Sequence, residues 1–76
     1  MKDGLMVTLN VRDMQVDLRV PGDVPVGELI ALLGEALVMP MDRNNRLQAE
    51  PLGCILDNEK TLQEEGVMHG SILTLI

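Results

Sequence analysis

The strongest structural signals of this chain lie in LDNEKTLQEEGVMHGSILTL, residues 56–75. Thr61 and Glu64 have the spacing of a capping box, in which each side chain accepts a hydrogen bond from the backbone N–H of the other residue. A single helical turn should therefore begin at Thr61, and Gly66 is well suited to end it. Residues 71–76 then alternate between the two sides of an extended chain, which predicts a final strand.

Upstream of that segment, the apolar pattern predicts a hairpin and a helix. Residues 5–11 and 15–20 alternate apolar and polar side chains, and the short link between them favours antiparallel pairing. From 26 to 37 the apolar residues recur in steps of three and four, which is one stripe of a helix. Pro25 suits the first helical turn, and Pro40 should end the helix.

Two short apolar runs, at 47–50 and 54–56, predict two further strands between the helix and the final segment. A polar connection over 41–45 leads into the first of them. One helix packed across one sheet is the smallest arrangement that buries the apolar faces of both, so we predict the α+β class. The sequence shows no linker and no repeat, so residues 1–76 should form a single domain. The predicted core includes Leu29, Leu33, Leu73 and Leu75.

The composition excludes several classes of partner. The chain carries a net charge of −6 and has no Phe, Tyr or Trp, so nucleic acid is not an expected partner. The longest apolar stretch is interrupted by Gly34 and Glu35, which argues against direct membrane insertion. A single cysteine, Cys54, cannot form an internal disulfide, and the first residues do not resemble a signal peptide. We therefore expect a cytoplasmic protein.

Residues that could carry catalysis are scarce. Cys54 and His69 are the only thiol and the only imidazole, and they fall on a predicted strand and a distant turn without a supporting motif. One Cys and one His do not make a metal site, and the carboxylates lack the spacing of metal ligands. We therefore expect no enzymatic activity, no metal and no cofactor. Cys54 is interpreted as a packed or edge residue, and His69 as a solvated turn residue.

The segment at 56–75 resembles the ubiquitin-family pattern of a turn, a Thr-Leu pair, a short helix and a Gly-Ser turn before the last strand. The whole chain is more similar to the YukD/EsaB family, small ubiquitin-like proteins of the WXG100-type (type VII) secretion systems of Gram-positive bacteria. VPVGELIALLGEAL, residues 24–37, resembles the helix of that family. GVMHGSILTLI, residues 66–76, is also similar to the cytosolic ubiquitin-like domain of EccD. The resemblance implies a ubiquitin-like β-grasp fold, with a mixed sheet of four to five strands packed on one helix.

The same resemblance implies a non-catalytic, protein-binding accessory of a type VII secretion system. Such a protein would dock on an ATPase or a membrane subunit of the machine without being conjugated to targets. Conjugated ubiquitin-like proteins need a flexible Gly-Gly tail, because only glycine passes through the narrow channel of an activating enzyme. The sequence stops at Ile76 without such a tail. The alternative is a ubiquitin-like modifier or sulfur carrier whose Gly-Gly tail is missing from this chain, or a soluble piece of a larger protein.

The sheet face turned away from the helix is the predicted protein-binding surface. Apolar residues on neighbouring strands of that face could form a patch, and exposed apolar patches often mark interaction sites. Ubiquitin-like proteins commonly use this face, so the resemblance supports the same surface. The patch could also serve a homodimer. The predicted binding residues are Met6, Thr8, Gln48, Ile72, Thr74 and Ile76.

The sequence leaves two other surfaces as candidate binding surfaces. Leu32 and Ala36 flank the apolar stripe of the helix and offer a second, smaller surface. The acidic stretch at 57–65 is either a solvated turn that complements a helix dipole or a patch for a basic partner. Its carboxylates belong to Asp57, Glu59, Glu64 and Glu65.

Overall fold

One helix packs on a five-stranded sheet in the computed structural model, which describes residues 4–39 and 44–76. Pro40 and most of the connection predicted over 41–45 therefore lie outside the described residues. The predicted helix and each of the predicted strands are present. In chain order the elements are β1 (Gly4–Val11), β2 (Met14–Pro21), α1 (Val26–Ala36), β3 (Leu47–Glu50), β4 (Cys54–Ile55) and β5 (Ile72–Leu75).

The sheet combines parallel and antiparallel pairing. Its strands lie in the order β2-β1-β5-β3-β4. β1 pairs antiparallel with β2 and parallel with β5, and β3 pairs antiparallel with both β5 and β4. The predicted fold, a ubiquitin-like β-grasp with a mixed sheet on one helix, is confirmed.

The start of α1 is capped by the backbone of a distant loop. Val26 N–H donates to the Lys60 carbonyl at 2.8 Å, and Gly27 N–H donates to the Asn58 carbonyl at 2.9 Å. A Cβ atom on Gly27 would lie 3.3 Å from that Asn58 oxygen, so the glycine permits the close approach. Pro25 directly precedes the helix with a ψ of 143°, instead of lying within the first turn as predicted. Pro25 forms an isolated antiparallel β-bridge with Thr61, so the chain is still extended at the residue before the helix.

The end of α1 places a valine in a left-handed conformation. Val38 has a φ of 55°, and Met39 N–H donates back to the Gly34 carbonyl at 2.8 Å. This is the bond pattern of a Schellman turn, in which glycine usually holds the left-handed position. Val38 is 88% exposed, so little packing offsets the conformational cost.

The core lies between α1 and the facing side of the sheet. Leu29, Leu33 and Leu73 are buried there, as predicted. Leu75 is only partly buried and packs against the buried cluster instead of belonging to it. The remaining buried apolar side chains are Val7, Leu9, Val11, Val20, Val26, Ile30, Leu47, Ala49, Leu56, Leu62 and Val67.

The segment at 61–65 forms one hydrogen-bonded turn of the chain. Thr61 N–H donates to Glu64 Oε1 at 2.9 Å, and Glu64 N–H donates to Thr61 Oγ1 at 3.0 Å, so the predicted capping box is present. Glu65 N–H donates to the Thr61 carbonyl at 3.0 Å, which completes a helical turn. Leu62 is fully buried and anchors this turn on the core.

Candidate protein-binding face of the sheet

The strand register places the predicted binding residues on one side of the sheet. Thr8 lies opposite Ile72, and Thr74 lies opposite Gln48. Ile76 follows β5 and exchanges backbone hydrogen bonds of 2.9 and 3.1 Å with Arg46, which extends the same alternation. We call this side, which faces away from α1, the outer face. Its side chains are Met6, Thr8, Asn10, Gln15, Asp17, Arg19, Arg46, Gln48, Glu50, Ile55, Ile72, Thr74 and Ile76.

The middle of the outer face carries no charge. We call the outer-face residues of β1 and β5, together with Ile76, the central strip. Charged side chains flank this strip on both sides, with Asp17 and Arg19 on β2 and with Glu50 and Arg46 on or beside β3. Protein interfaces commonly have a centre depleted of charged residues and a polar rim. The central strip comprises Met6, Thr8, Asn10, Ile72, Thr74 and Ile76.

Hydrogen bonds between neighbouring strands order the polar side chains of the outer face. Gln15 Nε2 donates to Asn10 Oδ1 at 3.1 Å, and Asn10 Nδ2 donates to Thr74 Oγ1 at 3.4 Å. Thr8 Oγ1 donates to Asp17 Oδ1 at 2.7 Å. Side chains that are already held in place lose less conformational freedom when a partner binds. The polar part of the face is therefore ordered by contacts within the chain.

The apolar side chains of the outer face lie among these polar groups. Met6 is 39% exposed, Ile72 is 37% exposed and Ile76 is 50% exposed, so each retains surface that a partner could cover. Thr74 separates Ile72 from Ile76 along β5, so the predicted residues form a mixed surface and not a continuous apolar patch.

Ile55 joins the same face and was not identified from the sequence. It pairs with Gln48 across β3 and is 54% exposed. A strand of two residues shows no alternation, so sequence periodicity cannot assign the face of its side chains. Only the pairing of β4 with β3 reveals that Ile55 belongs to the outer face.

The outer face carries a small depression. It is lined by Met6, Val7, Thr8, Asp17 and Gly70 and encloses about 200 Å³. Small-molecule sites usually enclose about 300–1,000 Å³. This depression is therefore smaller than a usual small-molecule site.

Cys54 and His69 lie apart in the fold. Cys54 is exposed on β4 at the edge of the sheet, whereas His69 accepts a hydrogen bond at Nδ1 from Met6 N–H of β1 at 3.2 Å. Two strands, β3 and β5, separate β4 from β1. Within residues 4–39 and 44–76, no group of His, Cys, Asp and Glu side chains could hold a metal ion.

The acidic stretch uses most of its carboxylates within the chain. Glu65 Oε2 accepts a hydrogen bond from Asp57 N–H, Asp57 Oδ1 accepts one from Glu59 N–H, and Glu64 belongs to the capping box. These bonds favour the interpretation of the stretch as a structural turn. On the helix side, Leu32 and Ala36 are exposed.

No helix in the described part of the chain is long and apolar enough to cross a membrane.

Comparison with known proteins connects this fold to a secretion system. The family model for "WXG100 protein secretion system (Wss), protein YukD" matches residues 5–75. A comparison with curated proteins finds no match. Among solved structures, the ubiquitin-like domain of the Mycobacterium tuberculosis type VII secretion system protein ECCD1 is 26% identical, with a TM-score of 0.65 over 96% of this chain and 97% of that one.

Two further structures support the fold alone, because their sequence identity is low. Caldiarchaeum subterraneum ubiquitin is 21% identical, with a TM-score of 0.74 over 96% of this chain and 91% of that one. A structure described as "Molecular Mimicry of SUMO promotes DNA repair" is 18% identical, with a TM-score of 0.83 over 100% of this chain and 94% of that one.

Proposed function

We propose that this chain, which belongs to the YukD family of the WXG100 protein secretion system, serves that system as a non-catalytic protein-binding accessory. It is a ubiquitin-like protein of the type VII secretion machinery. In the proposed role it works in the cytoplasm and docks on a protein component of the machine, an ATPase or a membrane subunit. The contact is reversible, and no covalent bond joins the protein to its targets.

The uncharged central strip is the observation that carries this proposal. The chain has a net charge of −6, yet the outer-face positions of β1 and β5 hold only apolar, hydroxyl and amide side chains. Placing a charge at the centre of an interface costs desolvation energy unless it is paired, so such a strip suits close protein contact. The charges that flank it on β2 and β3 can stay hydrated at a rim.

The magnitude of the expected contact agrees with a reversible docking role. Full burial of one large apolar side chain contributes about 1.5–3 kcal/mol. Met6, Ile72, Ile76 and Ile55 are between 37% and 54% exposed, so only part of that gain is still available to a partner. This leaves about 1 kcal/mol for each side chain. Association itself costs several kcal/mol, so the contact should be weak unless the polar groups of the outer face also pair.

Ile72→Lys tests the proposed surface. Ile72 points away from the core and lies opposite Glu50, which can receive the new ammonium group, so the fold should be kept. Binding to the isolated cytosolic parts of the ATPase and of the membrane subunits of its own secretion system should be lost, as measured by calorimetry. The matched control is Leu32→Lys, which places the same group at a residue of α1 that is 48% exposed.

The control should bind as the parent does. If Ile72→Lys retains a native circular dichroism spectrum and binds with undiminished affinity, the docking surface is not the outer face. If Leu32→Lys alone loses binding, the helix side is the docking surface.

A further inference from the structure

The strand β2 forms an open edge of the sheet. Its described pairing is entirely with β1, and it stands first in the strand order. Along this strand of eight residues, Gln15, Asp17 and Arg19 are exposed. An uncovered edge of this length offers a row of backbone donors and acceptors to another strand.

The hydrogen bonds of β1 show which residues of β2 face this edge. Thr8 N–H donates to the Ser71 carbonyl at 3.0 Å, and the Met6 carbonyl accepts from Gly70 N–H at 2.7 Å, so both residues direct their backbone groups towards β5. Their partners across the hairpin are Asp17 and Arg19. In an antiparallel ladder, both members of a pair that is not hydrogen-bonded point their groups away from each other. The backbone N–H and C=O of Asp17 and Arg19 therefore face the open edge.

The side chains of this edge are complementary to themselves. Edge strands are often protected from pairing by charged side chains, especially lysines, and by proline. Here an acid and a base lie two residues apart, with Leu18 between them and both on the outer face. If an antiparallel copy is centred on Leu18, Asp17 lies opposite Arg19 of the second copy, and the two-fold symmetry repeats the pair.

We propose that two copies of this chain pair through β2 in antiparallel orientation, about a two-fold axis at Leu18. Each Asp17 and the second copy's Arg19 form a hydrogen-bonded pair that exchanges two backbone bonds, and their opposite charges lie side by side. Leu18 meets its own copy on the inner side, and Val16 faces Val20 of the second copy. Val16 and Leu18 are only partly buried in one chain, so both have apolar surface left for this contact.

The charges also select the register. An alignment centred on Asp17 places the two Asp17 carboxylates opposite each other, and one centred on Arg19 does the same with the two guanidinium groups. Pro21, which has no N–H, lies opposite Gln15 in the alignment on Leu18 and opposite Asp17 in the alignment on Arg19, so it does not distinguish these two alignments. Like charges directly across a strand pair are destabilising. The alignment on Leu18 is therefore preferred over both neighbouring alignments.

Pairing at this edge leaves the outer face uncovered. The two sheets become continuous through β2, with both copies of α1 on one side and both central strips on the other. A partner would then meet two docking faces in one plane, which raises its effective affinity without any new contact. This arrangement does not depend on which protein the outer face binds.

Charge exchange at Asp17 and Arg19 tests the pairing in the whole chain. By sedimentation velocity, the parent should have the mass of two chains. Asp17→Arg and Arg19→Asp should each have the mass of one chain, since each sets like charges opposite each other twice. The double variant Asp17→Arg with Arg19→Asp exchanges the two charges and should recover the dimer.

A parent with the mass of one chain would overturn the proposal and would favour pairing of this edge with a strand from another protein. Single variants that keep the mass of two chains would also overturn it. A dimer that Ile72→Lys dissociates and the charge variants do not would instead place the self-contact on the outer face.

A cysteine at the proposed axis provides a second test that does not depend on the charge variants folding. In a Cys54→Ser background, Leu18→Cys should form a disulfide-linked dimer on mild oxidation. The backbone groups of Leu18 face β1, so the two Leu18 residues form a pair without backbone hydrogen bonds between them. The Cα atoms of such a pair are about 4.5 Å apart. This separation is within the range of about 4.4–6.8 Å that a disulfide spans. The matched control, Gln15→Cys, should not link, because six residues of about 3.4 Å each place it about 20 Å from its copy. Equal linkage of both variants, or none at Leu18→Cys, would contradict the proposed register.

Discussion

Leu33→Ala should remove most of the stability of this domain. Leu33 is 5% exposed and lies on the face of α1 that packs on the sheet. Replacing a buried leucine by alanine in a packed core costs about 2–5 kcal/mol. A domain of this size rarely has more than about 3–5 kcal/mol of stability from its core. The expected loss is therefore comparable with the whole free energy of unfolding.

The measurement is urea unfolding followed by far-ultraviolet circular dichroism, in which the midpoint reports the free energy of unfolding when the slope is unchanged. The Leu33→Ala variant should be largely unfolded before urea is added, or should unfold at a much lower concentration than the parent. Leu32→Ala is the matched control, because it makes the same change at the neighbouring residue of the same helix, where the side chain is 48% exposed. Leucine and alanine have similar helix propensities, so the control should lose less than about 1 kcal/mol. Equal midpoints for Leu33→Ala and the parent would refute the assignment of the core face of α1.

Val38→Gly should raise the free energy of unfolding by about 0.5–1 kcal/mol, because a left-handed conformation costs an L-residue about 1–2 kcal/mol and glycine recovers most of it after its own entropic cost. The exposed Val38 side chain loses no packing, so the urea midpoint should increase; a decrease would show that this side chain makes a stabilising contact. Antibody detection of the native protein in a denaturing gel of cell lysate should show only the free chain, since the proposed docking is non-covalent. A ladder of heavier bands that survives boiling in denaturant and reductant would instead favour conjugation.

Local patterns in the sequence were sufficient to predict most of the elements and part of the site. The alternation at 5–11 and 15–20 predicted β1 and β2, and the three- and four-residue steps from Val26 predicted α1. The spacing of Thr61 and Glu64 predicted a capping box that is present. Each of these signals lies within a few residues, because helix and strand periodicity and side-chain capping are short-range effects.

Only the tertiary structure decides which strands are neighbours and what they bring together. The parallel pairing of β1 with β5 joins Thr8 to Ile72, and the pairing of β4 with β3 places Ile55 on the outer face. No local pattern predicts either contact, and the place of Ile55 on the outer face was missed from the sequence. The caps of α1 likewise come from the carbonyls of Asn58 and Lys60, more than one element away along the chain.

The physical reason is the difference in range between the two kinds of interaction. A residue's preference for helix or strand, and the side of the element it faces, are set by its own backbone and its near neighbours. The uncharged central strip and the open edge of β2 exist only once burial of the shared core has fixed the order of all the strands. The sequence by itself therefore determined the elements and their apolar faces, and packing decided how those elements assemble into the outer face and the open edge of the sheet.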